Sequence, residues 1–393
     1  MEKFDMEERE RPSLLAYVLF IIIAVLGVIC VLLWQRSERL SERLEDTARL
    51  AELSEYVDEK YYTETNEETL MNSALKGYIA GLDDPYSSFL TPDEYSSWQE
   101  KESGTSVGIG VTVQAHEKGL YVVSVTEDSP AEKGGFQPED IITAVDGELV
   151  TELGYNEAVD AVKGEIGTDV ALTIDRAGEI MELVITRGEI VTVTAEGQML
   201  DGNIGYIHIS AFRENTFDQY NAVLTGLVES GAEAIIFDVR NNGGGLLTSL
   251  EKILDPLLPE GNIAVANYGD GSVKTIVESD SDELMIPMAV VMNENTASAG
   301  ELFAASLKDF GKADLVGTVT YGKGVMQDTR TVAGGAATLT VATYQTVKGE
   351  CYHGIGVPPD VEATLPEDYV IDFDAPDTEG DPQLKAAYEL LVK

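Results

Sequence analysis

The chain has 393 residues, enough for two or three domains that each bury a core. Its 70 acidic residues against 26 basic give a formal net charge of −44, which argues against nucleic acid or an anionic membrane surface as the main partner, since either would be repelled. Apolar residues at 44% exclude a disordered polypeptide, and two cysteines, Cys30 and Cys351, supply no disulfide framework.

After a tail over 1–13, Leu14 to Leu33 is an uninterrupted, uncharged apolar run. At about 1.5 Å per residue, a helix of that length crosses the roughly 30 Å hydrocarbon core of a bilayer. Trp34-Gln35-Arg36 follows it where a small-residue cleavage pattern would stand, and Val28-Ile29 precede Cys30 where a lipidated cysteine would need a small residue. The run is therefore expected to stay as an anchor. Lys3, Arg9 and Arg11 before it nearly balance Arg36, Arg39 and Arg43 after it, so charge leaves the orientation open. A helical region is expected over 34–104. Leu33, Leu40, Leu44, Ala48 and Ala51 share one helical face, suited to packing on its own domain or to a parallel partner in a dimer. Helical spacing continues over 66–82, and Asp83-Asp84-Pro85-Tyr86-Ser87-Ser88 reads as a turn.

From residue 105 the pattern becomes β-rich. Apolar stretches at 107–114 and 120–126 flank a Lys118-Gly119 turn, a short helix opens at Ser129-Pro130 and a strand runs over 140–145. A second helix covers 156–163, and strands follow at 170–175 and 180–186. With Gly108-Ile109-Gly110-Val111 ahead of a strand, and the SPAEKGG and DIITAVDG segments around it, the span 105–189 resembles a PDZ domain. In such domains the Gly-rich loop offers backbone N–H groups to a peptide's terminal carboxylate while the peptide adds as a strand. From 190 to 365 helices and strands alternate, with strands at 204–209, 234–239, 288–292, 314–320 and 337–344. Helices are expected over 216–230, 246–257 and 299–309, so the pattern is that of an α/β layer around a largely parallel sheet. The stretch 362–381 is acidic, proline-punctuated and expected to lie mostly on the surface.

Three segments carry chemistry. In Met288 to Leu302 a buried strand runs into a small-residue turn and a helix, with Ser298 at the junction. Helix N-terminal amides favour the negative charge of a tetrahedral oxyanion there, although serine also serves as a plain N-cap. Lys323 lies between two glycines, which permit close backbone approach. It is either a solvent-exposed loop residue or, if burial lowers its pKa by several units, a base. Gln327 follows four residues on and would orient it. Asp238-Val239-Arg240-Asn241-Asn242-Gly243-Gly244-Gly245 ends a strand in glycines that expose backbone donors, and it lacks the Gly-Lys-Ser/Thr of a phosphate loop.

These segments resemble the carboxyl-terminal processing proteases over about 55–361: GLDDPYSSFLTPDEY at 81–95, the PDZ-like region, DVRNNGGGLL at 238–247, NTASAGEL at 295–302, GKGVMQ at 322–327 and GIGVPPD at 354–360. The resemblance implies an α/β protease core of the ClpP/crotonase-like type and a Ser-Lys dyad. In it Ser298 attacks the peptide carbonyl, Lys323 takes the proton, Gln327 supports Lys323 and an acyl-enzyme is then hydrolysed. It implies oxyanion donors on Gly244 and Ala299, with Gly243 as a substitute, and capture of a substrate's free C-terminus at Gly108, Ile109, Gly110 and Val111. It further implies a homodimer, no cofactor, no metal, and a catalytic part on the extracytoplasmic side of the membrane. Thr296 and Gly300 stand where the family often has serine, and Val347 where it usually has proline. Lys163 replaces a more usual arginine that can link capture to activation, and lysine cannot make the same bidentate contact.

The competing catalytic reading is a Ser-His-Asp triad, for which only His116, His208 and His353 are available, none with an acidic partner by motif. His353 near Cys351 would suit a thiol site but reads as structural. A non-catalytic PDZ scaffold is the other alternative; it predicts loss of at least one of Ser298, Lys323 and Gln327, and all three are present.

Overall fold

The computed structural model describes residues 14–280 and 282–392, with side chains from residue 22 onward except 38–46. The chain divides into two compact units, one up to Leu75 and one from Lys76.

In the first unit a single helix, Leu14–Lys60, carries the apolar run straight into the charged segment. The early part of the expected anchor, up to residue 21, lies outside the described side chains, as does the tail. Among the described residues no helix is long and apolar enough to cross a membrane. Leu40 and Leu44 of the expected apolar face also fall outside the described side chains. Leu33, Ala48 and Ala51 are exposed, as are Leu50, Leu53 and Tyr56.

The second unit contains two globular layers in sequence. Residues 111–186 form a six-stranded antiparallel sheet, Val111–His116, Gly119–Val125, Ile141–Val145, Glu148–Leu149, Asp169–Arg176 and Glu179–Thr186. Alternating side chains on these strands bury one face: Leu120, Val122, Ile142, Val170, Leu172 and Ile174 pack with Ala158 of the Tyr155–Val162 helix. A two-stranded ribbon, Thr105–Gly108 against Gly188–Val191, closes this layer at its base. Arg187, buried beside the ribbon, donates to the carbonyls of Ala161 and Val162 and so satisfies the C-terminal end of that helix.

The remaining chain builds a six-stranded sheet in the order Ala195–Leu200, Ile204–Ile209, Ala234–Asp238, Met288–Met292, Ala313–Gly317, Val361–Glu362. The first pair is antiparallel and all others are parallel. Central strands such as Met288–Met292 are apolar throughout because both faces are covered. The helices Thr216–Glu229, Leu247–Leu254 and Ala299–Asp309 pack on one face. On the other, Leu384 and Ala387 of a C-terminal helix, Pro382–Leu391, meet Tyr206, Ile236, Ala289 and Val291.

The sequence pattern misses three features. A second, antiparallel sheet joins Ser88–Leu90, Gly335–Thr346, Gly261–Tyr268, Val273–Ser279 and Val325–Val332. Its strands at 261–279 and 325–332 carry Asn, Asp, Gly and Arg at positions that face out, which hides the apolar alternation. The Pro382–Leu391 helix is the second. The third lies in the 362–381 stretch, which is mostly on the surface as expected, but in which Asp381 is buried and Phe373, half-buried, stacks on His208 with ring centroids 3.8 Å apart.

Candidate active site

Three loops at the carboxyl ends of the parallel strands meet in one cleft of about 650 Å³, lined by Ser298, Ala299, Lys323, Gln327, Gly243 and Gly244. Ligands commonly bind in this position in open parallel sheets. The Pro92–Ser103 helix adds Trp98, Lys101 and Glu102 to the rim, and Glu102 pairs with Arg213 across it.

Ser298 sits between the Met288–Met292 strand and the Ala299–Asp309 helix at φ 54°, ψ −119°. A positive φ is unfavourable for a residue with a Cβ, and such strain persists only where neighbours enforce it. Glu301 is the enforcing neighbour. Its carboxylate is fully buried and accepts four hydrogen bonds. Ser298 N–H (2.9 Å) and Lys323 N–H (2.7 Å) reach Oε2, while Gly322 N–H (2.6 Å) and the Thr320 hydroxyl (2.5 Å) reach Oε1. One carboxylate thus fixes the backbone of both Ser298 and Lys323. Glu301 N–H bonds the Ser298 carbonyl at 3.0 Å, so the first turn of the helix closes on the same residue.

Lys323 is half-buried, and its amine lies over the Tyr86 ring, 5.0 Å from the centroid. Burial holds the amine below the ordinary lysine range, while the charges of Asp84 and Glu301 pull it partly back. Tyr344 bridges the two residues. Its hydroxyl donates to the Lys323 carbonyl at 3.0 Å; burial pushes that hydroxyl's pKa up, and the adjacent Ser298 hydroxyl pulls it back. Gln327 turns its amide to the Val325 carbonyl at 3.3 Å. Among the described residues no hydrogen bond joins the Lys323 amine to Ser298 or to Gln327.

The glycine loop packs directly on the serine. A Cβ on Gly244 would lie 2.7 Å from Ser298 Cβ and 2.9 Å from Ala299 N, so any larger residue would plug the space in front of the serine. Here the geometry departs from the expected donor set, because Gly244 N–H donates to Asn242 Oδ1 at 2.8 Å. The N–H groups of Gly243 and Ala299 have no protein acceptor among the described residues. Asn242 is itself buried, bonding the Ile209 carbonyl through Nδ2 (2.8 Å) and taking Ala297 N–H on its own carbonyl (2.8 Å).

A separate groove of about 270 Å³ brings Gly108, Ile109, Gly110 and Val111 opposite Val159 and Lys163, at the end of the Tyr155–Val162 helix. Lys163 is exposed there, and Glu100 of the Pro92–Ser103 helix forms part of the wall. The same helix therefore borders both grooves. The histidines stay apart from Ser298: His208 faces Glu196 at 3.4 Å, His116 lies beside Tyr121, and His353 meets the edge of Tyr86. Cys351 points its thiol at the Gly324 carbonyl, 3.9 Å away.

The sequence reading does not single out Glu301, Tyr86, Tyr344 or Asn242. For Glu301 a signal existed. Ser298-x-x-Glu301 is a capping-box spacing, and an acid in the first turn of a helix otherwise buried all round needs partners.

Comparison with known proteins gives this arrangement its context. The model of peptidase family S41 matches residues 203–363, that of the PDZ domain residues 107–186, and that of the activating protease CtpB N-terminal domain residues 32–94. The carboxy-terminal processing protease CtpA of Bacillus subtilis is 33% identical over 366 residues, covering 91% of this chain and 78% of the relative. A probable CtpA-like serine protease of Staphylococcus haemolyticus is 34% identical over 339 residues, covering 84% and 68%. Among solved structures, the photosystem II D1 C-terminal processing protease is 27% identical at a TM-score of 0.49, with 87% of this chain and 90% of that one covered. The class is thus that of serine-type peptidases carrying a PDZ domain. Within it, the chain belongs to peptidase family S41 and is a carboxyl-terminal processing protease acting on protein or peptide substrates.

Proposed function

We propose that the protein is a membrane-anchored endopeptidase that captures the free C-terminus of a protein substrate in its PDZ groove and cleaves it through a Ser298-Lys323 dyad. The observation that carries this reading is the shared Glu301 carboxylate, which ties the Ser298 and Lys323 backbones into one cleft. The Lys323 amine leaves the face of Tyr86 and takes the Ser298 hydroxyl proton as Oγ attacks the scissile carbonyl. Catalytic hydrogen bonds are often unformed without substrate, so the resting amine position is compatible with this step. Gln327, once its amide rotates off the Val325 carbonyl, supports the amine. The oxyanion is held by the N–H groups of Ala299 and Gly243, since that of Gly244 is already taken by Asn242. Lys323 returns the proton to the leaving amine, and water then hydrolyses the acyl-enzyme by the same route.

In the PDZ groove, the loop Gly108, Ile109, Gly110, Val111 receives the terminal carboxylate, with Lys163 beside it. Leu14–Leu33 is the anchor, and the catalytic part lies on the extracytoplasmic side. The exposed apolar side chains Leu50, Leu53 and Tyr56 support dimerisation through the long N-terminal helix. The test is to incubate the full-length protein in detergent with casein. Ser298→Ala should abolish cleavage. Equal cleavage by the two forms would remove Ser298 from the mechanism and leave a PDZ scaffold as the alternative.

A further inference from the structure

We infer that Arg240 is a positioning residue through which the docked C-terminal segment holds the glycine loop Asn241–Gly244 in its working place beside Ser298; the inference rests on the oxyanion role proposed for that loop. Arg240 is fully buried yet charged, at the point where the Ala234–Asp238 strand turns into the loop. Its guanidinium is held from two sides. Asp238, on the same strand, takes Nε at 3.0 Å and Nη2 at 2.5 Å. The C-terminal segment takes the other end: Nη1 donates to Asp381 Oδ2 at 2.6 Å and to Gln383 Oε1 at 3.2 Å.

Neither carboxylate is left unsupported. Asp238 also accepts the Tyr206 hydroxyl at 2.9 Å, and Asp381 Oδ1 accepts the N–H groups of Gln383 and Leu384 as the cap of the last helix. Phe373 adds a hold on the same segment, stacked on His208 with the Arg240 guanidinium 5.8 Å from its ring centroid, and Gln198 donates to the Asp374 carbonyl at 2.8 Å. With the segment docked but the Asp381 carboxylate gone, Nη1 keeps only the longer Gln383 contact and the buried guanidinium loses one of its two counter-charges, a cost the protein reduces by moving the residue. The residue that would move is the one joined directly to the loop. From Arg240 the chain passes to Asn241, held by Asn293, and to Asn242, whose side chain fixes the Gly243–Gly244 peptide. A shift at Arg240 therefore re-aims the Gly243 N–H and leaves the Glu301 arrangement around Lys323 untouched.

Asp381→Asn tests this in the full-length protein. The one oxygen of asparagine can keep the cap, which turns its NH₂ toward Nη1, so the charge and the Nη1 acceptor at this position are both lost. The readouts are kcat and KM on a peptide substrate, together with labelling by a fluorophosphonate. In labelling, Ser298 Oγ bonds phosphorus, fluoride departs and the hydroxyl proton passes to base. The expected result is kcat and labelling rate both lowered about tenfold, with KM, the final labelling stoichiometry and the acid limb of the pH profile unchanged. Rates within twofold of the unaltered protein, or a stoichiometry that falls in step with kcat, would overturn the inference. Should Asp381→Asn not fold, Gln383→Met removes one Nη1 acceptor and carries the same readouts at about threefold. Labelling that persists in Ser298→Ala would instead refute the functional reading beneath it.

Discussion

On one wall of the cleft Ser298 is fixed at every atom of its backbone: its N–H is held by Glu301, its strained φ is enforced and Gly244 is packed against it. On the other wall Lys323 is fixed only in its main chain, where Glu301 and Tyr344 hold the N–H and the carbonyl. Its amine rests on Tyr86, and Gln327 is turned away. The contrast separates what is built in from what must move. The nucleophile's surroundings are preset, and on the proposed mechanism the step from rest to action is a side-chain rotation of Lys323 and Gln327, with no loop to assemble.

The largest effect should come from the preset wall. Gly244→Ala places a methyl against Ser298 Cβ and Ala299 N and should lower kcat by about 10²- to 10³-fold, as loss of an oxyanion donor does. If steady-state kinetics on a peptide substrate show less than a fivefold loss, this wall is softer than described. Glu301→Gln reaches both walls. It brings an amide NH₂ toward two of the four donors and leaves at least one unsatisfied, a cost of about 1–3 kcal/mol, or roughly five- to a hundredfold in kcat. It also deletes a negative charge that favours the protonated form of Lys323, so the lysine should deprotonate at lower pH and the acid limb of kcat/KM should move down. An upward move in the measured pH–rate profile would contradict this electrostatic role. The smallest effect is reserved for the mobile wall. Asp84→Asn also removes a charge that raises the Lys323 pKa, from a carboxylate itself held low mainly by the Ser87 hydroxyl. The limb should again move to lower pH, by less than about one unit, with the plateau rate kept. A lost plateau would show that Asp84 holds Tyr86 and the loop in place rather than tuning charge.

Much of this architecture is legible without coordinates because its signals are local. The Met288–Met292 strand and the Ala299–Asp309 helix announce themselves by an apolar run and a small-residue junction, and Ser298 falls between them. What the sequence hides is pairing at a distance. Glu301 meets residues about twenty positions away, Arg240 meets Asp381 across more than a hundred, and neither separation leaves a periodic trace. The donor choice between Gly243 and Gly244 is hidden for another reason. It turns on the orientation of one peptide plane, set by an asparagine side chain.

The elbow at Ser298 has a consequence for the molecule's durability. A residue with a Cβ is kept where glycine would sit without protest, and Glu301 and Gly244 must oppose that tension at all times. A Ser298→Gly protein should be the more heat-resistant of the two and inert, so part of the enzyme's thermal endurance is permanently diverted into keeping one hydroxyl aimed.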